Sequence, residues 1–214
     1  FMDEYGMMNG HTPGIVTGKP IELGGSLGRE AATGRGTAII TRESANFFNL
    51  DLNKSSVVIQ GFGNVGSYTA KFLDEMGSKI IAVSDVNGGL HEPDGFDVPS
   101  LIEFNSKNRT IKGCGQGSAI SNEKLIGLEC DFLIPAALGG VIHKMNVDEL
   151  NCKVVVEAAN GPVTPTADKK LFEKNIHVVP DILTNAGGVT VSYFEWVQNL
   201  QQLQWDESEV NEKL

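Results

Sequence analysis

The stretch Val57-Val58-Ile59-Gln60-Gly61-Phe62-Gly63-Asn64-Val65-Gly66 constrains this chain more than any other. Its short β-branched run reads as a buried strand. The strand runs directly into Gly61, Gly63 and Gly66, spaced G-x-G-x-x-G. Apolar residues then recur at helical spacing through Val65, Ala70, Phe72, Leu73 and Met76, and Gly77 stands where that helix should stop. A second apolar run, Ile80-Ile81-Ala82-Val83, ends in Ser84-Asp85. This spacing predicts a βαβ unit. In such a unit Gly61 permits the tight turn, Gly63 lets a pyrophosphate reach the backbone, and Gly66 lets the helix lie on the strand. Phe62, Asn64 and Val65 complete the turn, whose N–H groups meet phosphate at the positive end of the helix dipole. Asp85 is placed to accept hydrogen bonds from an adenosine ribose and to repel a 2′-phosphate. No Arg or Lys follows it from Val86 to His91. NAD is therefore expected, with NADP possible.

Further along, apolar runs alternate with helical patterns. Strands are expected at Asp131–Ile134, Val154–Val156 and Ile176–Val179. Helices are expected at about Thr33–Phe48, Val98–Asn105, Val141–Leu150 and Thr166–Lys174, with a long one following Asn185. Residues 1–32 read as an irregular lead-in, 110–118 as a glycine-rich loop, and 33–214 as one domain whose last helix is cut short. Alternation of this kind predicts an α/β fold of Rossmann type, a doubly wound, mostly parallel sheet with helices on both faces. Ligands of such sheets sit outside the carboxyl ends of the strands. The residues just past each strand are thus the candidates: Gly61 to Asn64, Asp85, Ala136, Ala137, Asn160 and Asn185. Thr33 opens the helix before the nucleotide strand and could either cap it or reach a ligand.

Composition narrows the partners. The formal net charge of −10 argues against nucleic acid or an anionic membrane. Phosphate must then be bound by backbone amides and local charge. Cys114, Cys130 and Cys152 are odd in number and lack metal-ligand spacing, which fits a reducing, cytoplasmic setting. No apolar run reaches membrane-spanning length. The four histidines are dispersed, and no nucleophile–base pair or metal-binding set is visible. No catalytic residue is expected within this chain. It begins at Phe1 and stops in a charged helical pattern, so it reads as a piece of a longer protein.

The segments Thr17-Gly18-Lys19-Pro20, Gly24-Gly25-Ser26-Leu27-Gly28-Arg29, Ala32-Thr33-Gly34-Arg35-Gly36, Gly61–Gly66, Glu157-Ala158-Ala159-Asn160-Gly161-Pro162 and Asn185–Trp196 together resemble the glutamate dehydrogenase family over nearly the whole chain. The resemblance implies oxidative deamination of L-glutamate to 2-oxoglutarate and ammonia, with hydride transfer to NAD or NADP. It implies that Thr33 and Asn64 contact the cofactor, that Asn160 and Asn185 line its nicotinamide side, and that Ser192 binds the substrate's distal carboxylate. It also implies that the catalytic lysines and aspartate lie on a preceding domain. A homohexamer is implied for the full-length protein, and a monomer or dimer for this piece, which would bind dinucleotide weakly without turnover. Two other readings fit the residues. One is a branched-chain or aromatic amino acid dehydrogenase domain, against which the polar Ser192 argues. The other is a non-catalytic dinucleotide-binding module.

Overall fold

A computed structural model describes residues 1–214. In chain order the elements are α1 (Met2–Asn9), α2 (Ala32–Phe47), β1 (Ser56–Gln60), α3 (Asn64–Glu75), β2 (Lys79–Asp85), β3 (Gly88–His91), α4 (Val98–Asn108), β4 (Ser118–Ile120), α5 (Asn122–Leu125), β5 (Cys130–Pro135), β6 (Cys152–Val156), α6 (Pro165–Glu173), β7 (His177–Val179), α7 (Asp181–Thr184), α8 (Ala186–Gln201) and α9 (Glu207–Lys213).

One seven-stranded sheet runs β4-β3-β2-β1-β5-β6-β7. Strands β1, β2, β5, β6 and β7 are parallel, while β3 and β4 extend one edge antiparallel. Alternate residues of β1 and β5 face opposite sides, as the pleat requires. Val57, Ile59, Phe132 and Ile134 join the core with Ala38, Ala70, Leu73 and Leu101 from α2, α3 and α4. Val58 and Leu133 join Leu125, Ile142, Ala167 and Leu171 on the other face. Both faces are thus covered, which explains why the central strands are apolar throughout. The fold is the expected α/β class.

The β1–α3 turn is built as its glycines predict. Gly61 takes φ +98, and a Cβ there would press on Ala136 and Ala137 after β5. A Cβ on Gly66 would overlap the carbonyl oxygen of Gly61, whereas Gly63 faces open space.

Elsewhere the structure corrects the expectations. Residues 1–32 are not irregular throughout. They carry α1 and 3₁₀ turns at Pro13–Ile15 and Ile21–Leu23. α1 buries no residue, so it leaves no periodic apolar signal, but Asp3 and Glu4 favour its N-terminus. No helix spans Val141–Leu150. Ile142 bridges to Val163, and only Val147–Glu149 turns as 3₁₀. The closing helix is two helices. α8 ends where Gln202 turns left-handed at φ 56, and Asp206 caps the separate α9. Thr33 is not a cap: the N-cap of α2 is Ala31, without a side-chain bond. By contrast Ser121 caps α5, and Thr164 caps α6 with Pro165 at its first position.

Candidate functional site

The strand order reverses at β1, which lies between β2 and β5. This is the switch point where a doubly wound sheet opens a crevice. Two cavities of about 650 Å³ each lie there and share Ala136, Ala137 and Leu138 as the ridge between them. The first is lined by Thr33, Val65, Asn160, Asn185 and Ser192, and the second by Gly61, Phe62, Gly63 and Asp85. Most of the residues chosen from sequence therefore converge on one continuous cleft. Asn64 differs. Its side-chain amide donates to the Glu30 carbonyl at 2.9 Å and lines a third cavity on the far side of Gly63.

In the first cavity, Asn185 Nδ2 donates to Asn160 Oδ1 at 2.7 Å and approaches the Ala158 carbonyl at 3.4 Å. The loop holding Asn160 is tied down by Glu157, which accepts from the N–H groups of Val163 and Asp181, each at 3.1 Å. Burial raises the Glu157 pKa, and these two bonds only partly oppose it. Ser192 stands in the second turn of α8 and accepts from Arg29 Nε at 2.9 Å. Arg29 was missed as a candidate from sequence. It lies in the lead-in, far from Ser192 along the chain, and only packing pairs them. It is the sole ionisable side chain lining this cavity. A guanidinium beside a hydroxyl makes a site for a carboxylate.

The close approach of α2 to α8 makes this arrangement possible. Gly36 and Gly187 meet backbone to backbone, and a Cβ on Gly188 would strike the Thr33 hydroxyl. Small residues at these points bring Thr33, Ser192 and Asn185 to one wall.

In the second cavity Asp85 is more heavily engaged than expected. Its carboxylate accepts from Thr110 Oγ1 at 2.6 Å, Ile111 N at 2.9 Å and Asn87 N at 2.6 Å. Burial alone would raise its pKa, but these donors outweigh it and hold the carboxyl below its ordinary value. One lone-pair position, on Oδ1, remains open to a further donor. Arg109 also lines this cavity and the one beyond Gly63. A search of the residues directly after Asp85 could not find it, because it caps α4, in the left-handed conformation at φ 59.

The site fits a dinucleotide. The amides at the start of α3 meet open space at Gly63, and the two cavities lie on either side of the Ala136–Leu138 ridge. The chain is 52% identical over 216 residues to a glutamate dehydrogenase of Thermotoga maritima, of which it spans 52%. Its structure superimposes on that of glutamate dehydrogenase from Peptoniphilus asaccharolyticus with a TM-score of 0.84 at 42% identity, covering all of this chain and 50% of that one. On the hetero-hexameric glutamate dehydrogenase from Thermus thermophilus the TM-score is 0.91 at 36% identity, covering 99% of this chain and 50% of that one. The chain thus spans about half the length of these relatives. The Glutamate/Leucine/Phenylalanine/Valine dehydrogenase profile matches residues 24–214, from the turns that carry Arg29 to the last helix, and the chain belongs to that family.

Proposed function

We propose that this chain is the dinucleotide-binding half of a glutamate dehydrogenase that oxidatively deaminates L-glutamate to 2-oxoglutarate and ammonia. The observation that carries the reading is the Arg29–Ser192 pair in the same cavity as Asn160, Asn185 and Thr33. Arg29 and Ser192 would hold the substrate's distal carboxylate, a role that an apolar leucine or phenylalanine side chain could not use. The Asn160–Asn185 pair would orient the nicotinamide carboxamide. Gly63, Asn64 and Val65 would offer backbone N–H groups to the pyrophosphate, and Asp85 would accept from the adenosine ribose. A nicotinamide dinucleotide held by these residues would supply the hydride acceptor for the substrate's α-carbon. No side chain lining the first cavity can act as a general base, since Arg29 stays protonated. Proton transfer would fall to groups outside these residues, and the 214-residue chain alone would bind dinucleotide without turnover.

Asp85 favours NAD. Arg109 beside it supplies a cation for a 2′-phosphate, so NADP is admitted more weakly. The full-length protein would be a homohexamer in the cytoplasm, and this chain alone a monomer or dimer, which sedimentation can check.

The test has two arms. Calorimetric titration of this chain with NAD and NADP should give binding of both, with NAD tighter and the preference lost in Asp85→Ala. The full-length enzyme should oxidise glutamate far faster than leucine, and Ser192→Ala should raise KM for glutamate by about tenfold, the loss of one charge-assisted contact. Faster turnover of leucine would overturn the glutamate assignment. Absence of any nucleotide binding would remove the dinucleotide reading of the cleft.

A further inference from the structure

Glu157 directly follows β6 and is only 7% exposed, yet no cation pairs with it. The charged groups that face it are Asp181, at the start of α7, and Asp168, on α6, and both are acidic. A buried carboxylate among acids costs free energy unless hydrogen bonds offset it. Two do. Oε1 accepts from the Val163 N–H and Oε2 from the Asp181 N–H, each at 3.1 Å. A carboxylate accepts at both oxygens. Glutamine has the same shape but one acceptor, and would turn an NH₂ donor towards the second N–H. The position therefore calls for a charge, and not merely for a polar side chain of that length.

What the two bonds join gives that charge a purpose. Val163 closes the loop that carries Asn160, and Asp181 opens the short α7 that ends at Asn185. Asp181 Oδ2 returns the tie by accepting from the Gly161 N–H at 2.7 Å. Two carboxylates thus cross-brace two segments, and each segment presents one asparagine to the first cavity. The bond from Asn185 Nδ2 to Asn160 Oδ1, at 2.7 Å, uses one donor and one acceptor of the pair. Asn160 Nδ2 is left as a free donor and Asn185 Oδ1 as a free acceptor. A carboxamide offers the complementary acceptor and donor. Because the free donor and the free acceptor come from different segments, their separation is set by the brace and not by either side chain alone.

We infer that Glu157 is a positioning residue for the nicotinamide carboxamide: it holds the Asn160 loop and the Asp181–Asn185 turn at the separation where the free donor of one asparagine and the free acceptor of the other engage the same group. This rests on the dinucleotide reading of the cleft. Burial, with the neighbouring acids, raises the Glu157 pKa above its ordinary value of 4.5. A proton on either oxygen replaces an acceptor by an O–H donor and releases one of the two segments. The brace therefore weakens in mild acid, before that ordinary value is reached.

The experiment is calorimetric titration of the chain with NADH and with ADP-ribose, from neutral pH down towards 4.5, alongside melting curves, for the wild type and Glu157→Gln. The two ligands differ by the dihydronicotinamide ring, so titrations that act on the ADP-ribose portion cancel from the ratio of their affinities. At neutral pH the wild type should bind NADH about tenfold tighter, the yield of two modest hydrogen bonds, and the ratio should shrink as the pH falls. Glu157→Gln should bind ADP-ribose as the wild type does, bind NADH no better than ADP-ribose, and show no change of the ratio with pH. An unchanged ratio in Glu157→Gln, a wild-type ratio that does not move with pH, or an equal loss of both ligands together with melting temperature would each overturn the positioning role. Should Glu157→Gln fail to fold, the pH dependence of the wild-type ratio decides alone. If the wild type binds both ligands equally at neutral pH, the asparagine pair does not hold the carboxamide, and the assignment falls while the cleft stands. If it binds neither, the dinucleotide reading itself falls, and this assignment with it.

Discussion

At the residue scale, Gly63 and Gly66 belong to one motif but carry separable duties. Gly66 lies in the first turn of α3, where alanine would gain about 1 kcal/mol of helix propensity. Its Cβ, however, would overlap the Gly61 carbonyl, a backbone atom that cannot swing aside. Overpacking of this kind costs about 1–3 kcal/mol or more, so Gly66→Ala should lower the denaturant midpoint. Gly63→Ala meets nothing within 4 Å and should cost under about 1 kcal/mol. On the proposed dinucleotide site its methyl group would stand in the path of the pyrophosphate, so dinucleotide affinity should fall with stability nearly kept, as paired melting and titration curves can establish. Asp85 makes a pH prediction. Its folded pKa lies below the ordinary value of 3.8, so its hydrogen bonds contribute stability above about pH 4, and that contribution is lost as pH falls through the lowered value. Asp85→Asn should be less stable than the wild type at neutral pH, with the gap closing in acid, measured by urea unfolding across pH.

At the element scale, the fold depends on how near α2 and α8 can come. A Cβ on Gly187 would overlap the Ala32 carbonyl and crowd the Cα of Gly36. Gly187→Ala should push the helices apart, cost about 1–3 kcal/mol, and separate Ser192 from Arg29. A matched loss of stability and of glutamate affinity in the full-length enzyme would establish this. Elements with strong local signals were legible: β1, α3 and β2 from their apolar runs, and α6 from its helical pattern. Elements that exist only by pairing were not. β3 (Gly-Gly-Leu-His) and β4 (Ser-Ala-Ile) lack β-branched runs, and become strands because β2 offers an edge on which β3 and then β4 pair antiparallel. Val141–Leu150 has helix-like spacing, but the Ile142–Val163 bridge and the burial of Ile142, Val147 and Leu150 beside α6 override it.

At the scale of the whole molecule, residues 16–29 fasten to α8 through a chain of polar contacts. Glu195 is fully buried and meets Lys19 Nζ at 2.5 Å, with the Lys19 side chain only 5% exposed. Glu195 also accepts from the Gly18 N–H at 2.8 Å, Asn199 donates to the Gly24 carbonyl and Gln198 to the Ser26 hydroxyl. Removing one partner of a buried pair leaves an uncompensated charge, so Lys19→Met should cost about 3–5 kcal/mol. Adding Glu195→Leu should restore part of that, since the stranded charge goes too, and chemical denaturation of the three variants provides the check. These contacts bring Arg29 to Ser192. The sequence alone determined the glycine-turn βαβ unit, the α/β class and the strand ends that converge on the cleft, because each rests on neighbours along the chain: period and glycine spacing. The tertiary structure alone decided the edge strands β3 and β4, the Asn160–Asn185 and Arg29–Ser192 pairs, and Arg109 beside Asp85. Each joins residues distant in sequence, and only the packing of sheet and helices sets which of them meet.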